Sequence, residues 1–116
     1  FERLCFAHAA QIRRALRLDS IATKTYSLFT EKAQMDMVIE RADGIVNLCE
    51  MKYTQQQYAL DKAEAEKVTR RMDSLRVLNR KRQNVQCILV TKQDAKQNSY
   101  YNSMIAKTIT LIDLVK

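Results

Sequence analysis

The sequence predicts an α/β protein: a three-layer sandwich in which a mixed central sheet lies between layers of helices. Two apolar segments rich in Val, Ile and Leu flank an Asp43-Gly44 turn signal, which is typical of a β-hairpin. A long amphipathic segment follows the hairpin, and a short apolar run at 85–91 follows that segment. Because a strand after a long helix is typical of a parallel β-α-β crossover, we expect helices to cover the sheet.

Length and charge narrow the classes of protein. The chain has 116 residues, enough for one domain (1–116) with a single core of modest size. Its 20 Lys and Arg residues against 13 Asp and Glu give a net charge of +7. This balance favours an anionic partner, nucleic acid first.

The sequence shows no signal peptide and no apolar stretch long enough to cross a bilayer, so it predicts neither secretion nor membrane insertion. Cys5, Cys49 and Cys87 are odd in number, far apart and in apolar surroundings. That usage is typical of buried thiols in a reducing compartment, and we expect the cytoplasm. The first residue is Phe and a helical pattern starts at once, so we expect a piece of a longer protein.

Residues 1–17 are predicted to form an amphipathic helix, since apolar side chains recur at three- and four-residue steps from Phe1 to Ile12. Arg13, Arg14 and Arg17 cluster at its end, where the helix dipole favours cations and where a phosphate contact is also open to them. Residues 21–29 predict a first strand.

The hairpin is predicted from two strands, Gln34–Arg41 and Ile45–Lys52, joined by residues 42–44. Gly44 is the only glycine in the chain. A three-residue loop needs a type I turn followed by a left-handed residue, and glycine adopts that conformation at no steric cost. With this loop Arg41 faces Ile45.

The loop length decides which side chains share a face of the sheet. With three residues, Asp36 lies directly opposite Glu50, and Asp36, Glu50 and Lys52 point to one side because strand side chains alternate. A two-residue Asp43-Gly44 loop would shift the pairing by one residue and place Asp36 on the other face. We favour the three-residue loop, partly because of the chemistry that it permits.

Residues 54–60 are predicted to form a loop next to the end of the hairpin. Thr54 with Gln57 and Asp61 with Glu64 both fit a capping box, but regular helical periodicity begins only after Asp61. We therefore predict a long helix that starts there and stops near Asn79. Its apolar face is predicted to carry Ala65, Val68, Met72, Leu75 and Leu78.

The rest of the chain is predicted to hold one more strand and a small helical tail. The continuous apolar run at 85–91 indicates a buried parallel strand, and 92–98 a polar loop. The spacing from Tyr100 to Ile105 indicates a short helix, and Thr110 with Asp113 another capping box.

Asp36, Glu50 and Lys52 predict a metal site. Two carboxylates at cross-strand distance repel each other unless a cation or a proton lies between them. Oxygen ligands suit Mg²⁺ or Mn²⁺, with phosphate oxygens and waters completing the shell. Lys52 would orient a water and offset phosphate charge, and the metal would act as a Lewis acid. The alternative is a solvated sheet edge with a Glu–Lys pair, but charges at the end of an apolar strand are costly without a partner.

These features resemble the PD-(D/E)XK, or restriction-endonuclease-like, nuclease fold: a helix, a strand meander with Asp36 and the Glu50-Met51-Lys52 triplet, then a crossover helix and strand. More narrowly, nearly the whole chain resembles the C-terminal nuclease-like domain of bacterial AAA-type ATPases of the kind found in Bacteroides. Four stretches carry the resemblance, the second being the most specific: FERLCFAHAAQIRRAL, AQMDMVIERADGIVNLCEMKY, YALDKAEAEKVTRRMDSLR and NSYYNSMIAKTITLIDLVK.

The resemblance implies a nuclease-like domain attached to an N-terminal ATPase domain of the same chain, with Mg²⁺ or Mn²⁺ as cofactor. Asp36 and Glu50 match the metal-binding acids of the family, and Lys52 matches its catalytic lysine. Glu2 matches an acid that many members carry on the first helix, as a further metal ligand. Lys32-Ala33 stands where the family has a glycine before the second strand, so the turn into that strand is expected to differ.

Contacts with DNA are predicted from basic residues and from the segment after the triplet, where Tyr58 and Lys62 match a recurring part of the family. Such residues would contact the backbone without reading sequence. A solvated helix face explains the basic residues equally well. The predicted contacts are Arg13, Arg14, Tyr58, Lys62, Arg70 and Arg71, with Arg80, Lys81 and Arg82 beside them.

Two functions from different classes stay open. The first is a metal-dependent deoxyribonuclease that hydrolyses phosphodiesters, and a homodimer is the usual assembly for cleavage of both strands. The second is a catalytically silent module that binds nucleic acid or a protein partner, or regulates the attached ATPase.

Overall fold

The computed structural model describes residues 7–29, 34–78 and 84–115 and confirms the α/β class. The described residues form a five-stranded mixed sheet whose strands lie in chain order, from β1 at one edge to β5 at the other. Helices flank the sheet on both faces, as in a three-layer sandwich. The elements are α1 Ala9–Ala15, β1 Thr23–Phe29, β2 Gln34–Arg41, β3 Ile45–Lys52, α2 Lys62–Leu78, β4 Asn84–Thr91, α3 Ser99–Met104, β5 Ile105–Thr110 and α4 Leu111–Val115.

Alternating side chains of the central strands fill two separate cores. On one face, Met37 and Cys49 pack with Ile12 of α1 and Leu114 of α4, and we call this the α1 face. On the other face, Leu48 and its neighbours pack against α2, and we call this the α2 face. β3 is buried on both faces, because it is the middle strand and each face carries a helix layer.

α1 ends at Ala15, two residues before the predicted end of the first helix, whose first six residues lie outside the described residues. Arg17 has φ 60°, a left-handed conformation that commonly closes a helix. The backbone N–H of Arg17 donates to the carbonyl of Arg14, and that of Leu18 donates to Arg13. These two hydrogen bonds form a Schellman motif, which ends the helix and turns the chain towards β1.

The hairpin has the predicted three-residue loop and the predicted register. Met37 pairs with Cys49, and Glu40 pairs with Val46. The N–H of Gly44 donates to the carbonyl of Arg41 at 3.1 Å, and Gly44 has φ +90°. The two-residue loop, with its shifted pairing, is thereby excluded.

Replacing Gly44 by alanine is expected to destabilise the fold by about 1 kcal/mol, the cost of a left-handed backbone at a residue with a Cβ. The cost comes from the backbone alone, since a Cβ at Gly44 would meet no atom within 4 Å. Gly44→Asn is the matched control, because asparagine tolerates this conformation better, and it should lose less. Urea denaturation measures both variants, and equal losses would contradict this account of the turn.

The long helix begins where the capping signal predicts. Asp61 Oδ1 accepts the backbone N–H of Glu64 at 2.8 Å, so Asp61 caps α2. Ala65, Val68 and Leu75 are buried against the sheet as predicted, and Met72 packs beside them. Leu78 is the exception: it is 56% exposed, so the buried stripe of α2 ends one turn earlier than predicted.

The second half of the chain holds one strand more than predicted. β4 lies parallel to β3, as expected for the crossover through α2. β5 also lies parallel to β4, and it begins at Ile105, the residue predicted to continue the short helix. Asp113 caps α4 by accepting the N–H of Thr110 at 2.9 Å, as the capping box predicts.

Candidate metal centre at the end of β3

Glu50 and Lys52 lie at the carboxyl end of β3 and point to the α2 face. Glu50 is only 4% exposed, and one of its carboxylate oxygens contacts the guanidinium of Arg71 on α2. Lys52 Nζ lies 3.1 Å from Glu64 Oε2, also on α2. The two charged side chains of β3 therefore share one face, as predicted, and each has a partner of opposite charge on the same helix.

The spacing of α2 explains why its partners are Glu64 and Arg71. They are seven residues apart, which is close to two turns, so they lie on one side of the helix. Val68 and Leu75, on the same side, are buried against the sheet. Helix packing thus brings an acid and a base to the end of β3.

The pKa of Glu50 is raised above its ordinary value, because burial removes the water that would solvate its charge. The charges of Arg71 and Lys52 oppose this effect but do not outweigh it, and the carboxylate of Asp36 adds to it. Buried acids of this kind are typical of functional sites.

The pKa of Glu64 moves the other way. Partial burial raises it, but hydrogen bonding and charge from Lys52, with help from Lys67, lower it below its ordinary value. Glu64 thus stays ionised and holds the ammonium of Lys52 beside Glu50.

Asp36 lies next to Met37 on β2, one step beyond the last recorded β2–β3 pair, Met37 with Cys49. Continued by one residue, the predicted register would set Asp36 opposite Glu50, but the β2–β3 pairing of the structure ends at Met37 and Cys49. Its side chain is partly exposed and accepts a hydrogen bond from Gln34 Nε2 at 3.3 Å. Burial is the largest cause of the raised pKa of Glu50, and the negative charge of Asp36 adds to it.

A β-bulge at Asp36 changes the argument from alternation. Tyr26 pairs with Val38 and Leu28 with Met35, so two residues of β2, Asp36 and Met37, face one residue of β1. Met35 and Val38 consequently pack in the same core cluster, although residues three apart in a regular strand point to opposite faces. Counting from Val38 puts Asp36 on the α2 face, and counting from Met35 puts it on the α1 face. Strict alternation, used in the prediction, therefore does not apply to Asp36.

Asp36 and Glu50 are the two predicted ligands within the described residues, whereas Glu2 lies outside them. No group of three His, Cys, Asp or Glu side chains in 7–29, 34–78 and 84–115 has the geometry of a metal site. Mg²⁺ in proteins is usually held by one or two carboxylates, with waters and substrate phosphate filling its shell. Asp36 and Glu50 are two carboxylates of the kind that such a site uses.

Tyr58 is predicted to contact nucleic acid, but its ring lies in the core between α2 and β4 and is 9% exposed. Its hydroxyl is buried and has no hydrogen-bond partner in the described part of the chain. Burial, followed by the charges of Glu64 and Glu50, raises its pKa.

The other basic residues predicted to contact DNA lie on two different surfaces. Lys62 and Arg70 are exposed on α2. Arg14 is exposed on α1, across the sheet, and Arg13 donates from there to Thr25 Oγ1 at 3.4 Å. Arg71 is bound to Glu50 rather than free for phosphate. Arg80, Lys81 and Arg82 lie outside the described residues.

The sequence prediction missed two contacts of the site: the pairing of Glu64 with Lys52 and that of Arg71 with Glu50. A signal was present: Glu64 and Arg71 interleave with the buried Val68 and Leu75, at positions that face the sheet. Charged residues inside an apolar stripe indicate partners on the element that the stripe covers.

Comparisons with known proteins leave the family open. No family model matches the chain, and neither the curated proteins nor the solved structures contain a significant match. Within the described residues, no helix has both the length and the apolar character needed to cross a membrane.

Proposed function

We propose that the chain is a metal-dependent nuclease-like domain that hydrolyses DNA phosphodiesters. One observation carries the proposal: Glu50 is a buried acid at the end of the middle strand, with Lys52 on the same face and with the charge of Asp36 contributing to its raised pKa. A buried acid with a raised pKa costs stability. Such a cost is typical of a site retained for its chemistry.

Each side chain has a role in this proposal. Asp36 and Glu50 would hold Mg²⁺ or Mn²⁺, which when bound supplies Lewis-acid activation of the phosphate and of a water. Lys52 would orient that water and offset the charge of the phosphate. Glu64 keeps the ammonium of Lys52 in position, 3.1 Å from its own carboxylate.

DNA would approach the carboxyl end of β3, where Glu50 and Lys52 lie beside α2. Lys62 and Arg70 are the exposed cations of α2 among the predicted contacts, and they would bind backbone phosphates without reading sequence. Arg13 and Arg14 lie on α1 across the sheet, so they are not expected to contact the same stretch of DNA.

The resemblance adds partners to the proposal: an ATPase domain on the same chain and a homodimer for cleavage of both strands. Sedimentation velocity of the chain at several concentrations tests the homodimer. A monomer at every concentration would reject it. The buried thiols of Cys49 and Cys87, which form no disulfide, agree with a reducing compartment such as the cytoplasm. Loss of fold stability in a reducing buffer would contradict that placement.

Asp36→Ala is expected to remove Mg²⁺- or Mn²⁺-dependent cleavage, since one of the two carboxylates for the metal is lost. Plasmid, linear and branched DNA are incubated with the chain and either metal, with a chelator as blank, and products are resolved on gels. Asp73→Ala is the matched control, because Asp73 is an exposed acid of α2 that pairs with Arg76. Cleavage by Asp36→Ala at the rate of the unmodified chain would reject the site.

A second function is favoured by the ion pairs themselves. Glu50 and Lys52 are both engaged by α2, an arrangement that would also suit a catalytically silent module in which these charges fix the helix on the sheet. Such a module would bind DNA or a partner without cleaving. Absence of cleavage by the unmodified chain, together with absence of metal binding by calorimetry, would select this function.

A further inference from the structure

Glu50 is engaged by Arg71 in the arrangement that the structure shows, so a metal at this carboxylate would meet a positively charged guanidinium. One of its carboxylate oxygens contacts the Arg71 guanidinium, and the side chain of Glu50 is only 5% exposed. A cation bound to this carboxylate and the guanidinium would compete for the same buried acceptor.

The charges around Glu50 make Arg71 its main counter-ion. Asp36 adds repulsion, and Lys52 attracts Glu50 but has its own hydrogen-bonded acid in Glu64. Without a cation, an ionised Glu50 therefore depends on Arg71 for a direct partner, and breaking a buried pair is costly.

We propose that Arg71 is an internal counter-ion that holds Glu50 in the metal-free protein and that a divalent cation must displace. Arg71 is thus a positioning residue that sets the metal affinity of the site. This inference rests on the proposed function, because it takes Asp36 and Glu50 as the metal ligands. It departs from the predicted role of Arg71 as a standing phosphate contact.

Arg71 is suited to leave the carboxylate. Its side chain is 22% exposed, so part of it already borders solvent. Arginine is weakly hydrated and binds phosphate in a bidentate manner. Once displaced, it would lie next to the site, free to contact the phosphate of a bound DNA strand.

The test is isothermal titration of MnCl₂ into the chain and into Arg71→Gln. Removing the competing charge is expected to tighten Mn²⁺ binding at least about fivefold, the lower end of typical coupling between two binding events. Arg71→Lys keeps a positive charge on a different head group, so its affinity for Mn²⁺ should lie between those of the unmodified chain and Arg71→Gln. Arg76→Gln is the control, since Arg76 pairs with Asp73 on the same helix at 2.8 Å and touches neither Glu50 nor Asp36 within the described contacts.

Equal or weaker Mn²⁺ binding by Arg71→Gln would overturn the inference, and a lowered melting temperature with unchanged affinity would identify Arg71 as purely structural. If Arg71→Gln does not fold, Arg71→Lys decides: a dissociation constant below that of the unmodified chain supports displacement, and an equal or higher one rejects it. If the unmodified chain binds Mn²⁺ and Arg71→Gln binds it with the same affinity, this inference is rejected and the proposed function is not. Absence of binding in the unmodified chain and all variants rejects the proposed function as well.

Discussion

Replacing Lys52 by alanine is expected to reduce DNA cleavage at least about 100-fold, the usual scale for removing a group that positions or activates the attacking water. The fold should persist, because the partner of Lys52, Glu64, is partly exposed and keeps a second cation, Lys67, at 3.5 Å. Initial rates on supercoiled plasmid in Mg²⁺ measure the effect, with circular dichroism to check the fold.

Lys67→Ala is the matched control for Lys52. Both ammonium groups contact Glu64, but Lys67 is a half-exposed side chain of α2 and does not lie on β3. Its loss should change the cleavage rate less than about twofold, as expected for an exposed ion pair. If the two variants lose activity equally, general weakening of the Glu64 pair would explain the effect and Lys52 would have no special role.

Replacing Glu50 by glutamine is expected to abolish metal-dependent cleavage and yet to stabilise the fold by about 1 kcal/mol at neutral pH. The stabilisation follows from the raised pKa of Glu50, caused first by burial. A buried group whose pKa is raised on folding destabilises the native state when it is ionised, and glutamine removes that charge. Glutamine also keeps an oxygen that can accept a hydrogen bond from Arg71.

The pH dependence checks the cause of this stabilisation. Glu50 favours folding while it is protonated, below its ordinary pKa of 4.5, and loses this contribution as the pH rises through its higher native pKa. Glu50→Gln should therefore gain stability over the unmodified chain near pH 7 and show little gain near pH 4. Urea unfolding at both pH values measures the difference. A variant less stable at pH 7 would show that the pair with Arg71 outweighs the cost of burial.

The hairpin was predictable because its signals are local. A single glycine, flanked by two strand-like segments of equal length, defines the loop, and the loop defines the register between β2 and β3. The start of α2 was equally accessible, since Asp61 caps it with its own side chain. Loop, register and cap each depend on residues close together in sequence.

The bulge at Asp36 depends on pairing with a strand at a distance. β1 contributes one residue where β2 contributes two, and the sequence of β2 holds no signal for this bulge. The side chain of Ser27 donates to the carbonyl of Asp36 at 2.8 Å, which ties the bulge to β1. Bulges are frequent beside active sites, where they re-aim a side chain.

β5 escaped prediction for a different reason. Ile105 lies at helical spacing from Tyr101, and the two buried positions of the strand, Ile105 and Ile109, are four residues apart. That interval fits both a helix and a strand. Pairing with β4 decides the outcome, because it supplies the hydrogen bonds of a parallel edge strand.

The ion pairs of Glu50 and Lys52 belong to the packing of α2 on the sheet. Sequence spacing places Glu64 and Arg71 on one side of the helix, but only the crossover from β3 to β4 brings that side over the end of β3. Glu50 and Lys52 could thus be selected from the sequence around them, whereas their partners Glu64 and Arg71 could not, because those contacts depend on how the helix packs.

The central claim is that Asp36 and Glu50 together hold a divalent cation. The most direct test is the anomalous difference density of a crystal of the chain soaked in MnCl₂. The account predicts a peak with carboxylate oxygens of Asp36 and Glu50 at about 2.0–2.2 Å, the usual distance for a small divalent cation, and Arg71 moved off Glu50. Absence of a peak between the two acids, with Arg71 still bound to Glu50 at saturating metal, would contradict it.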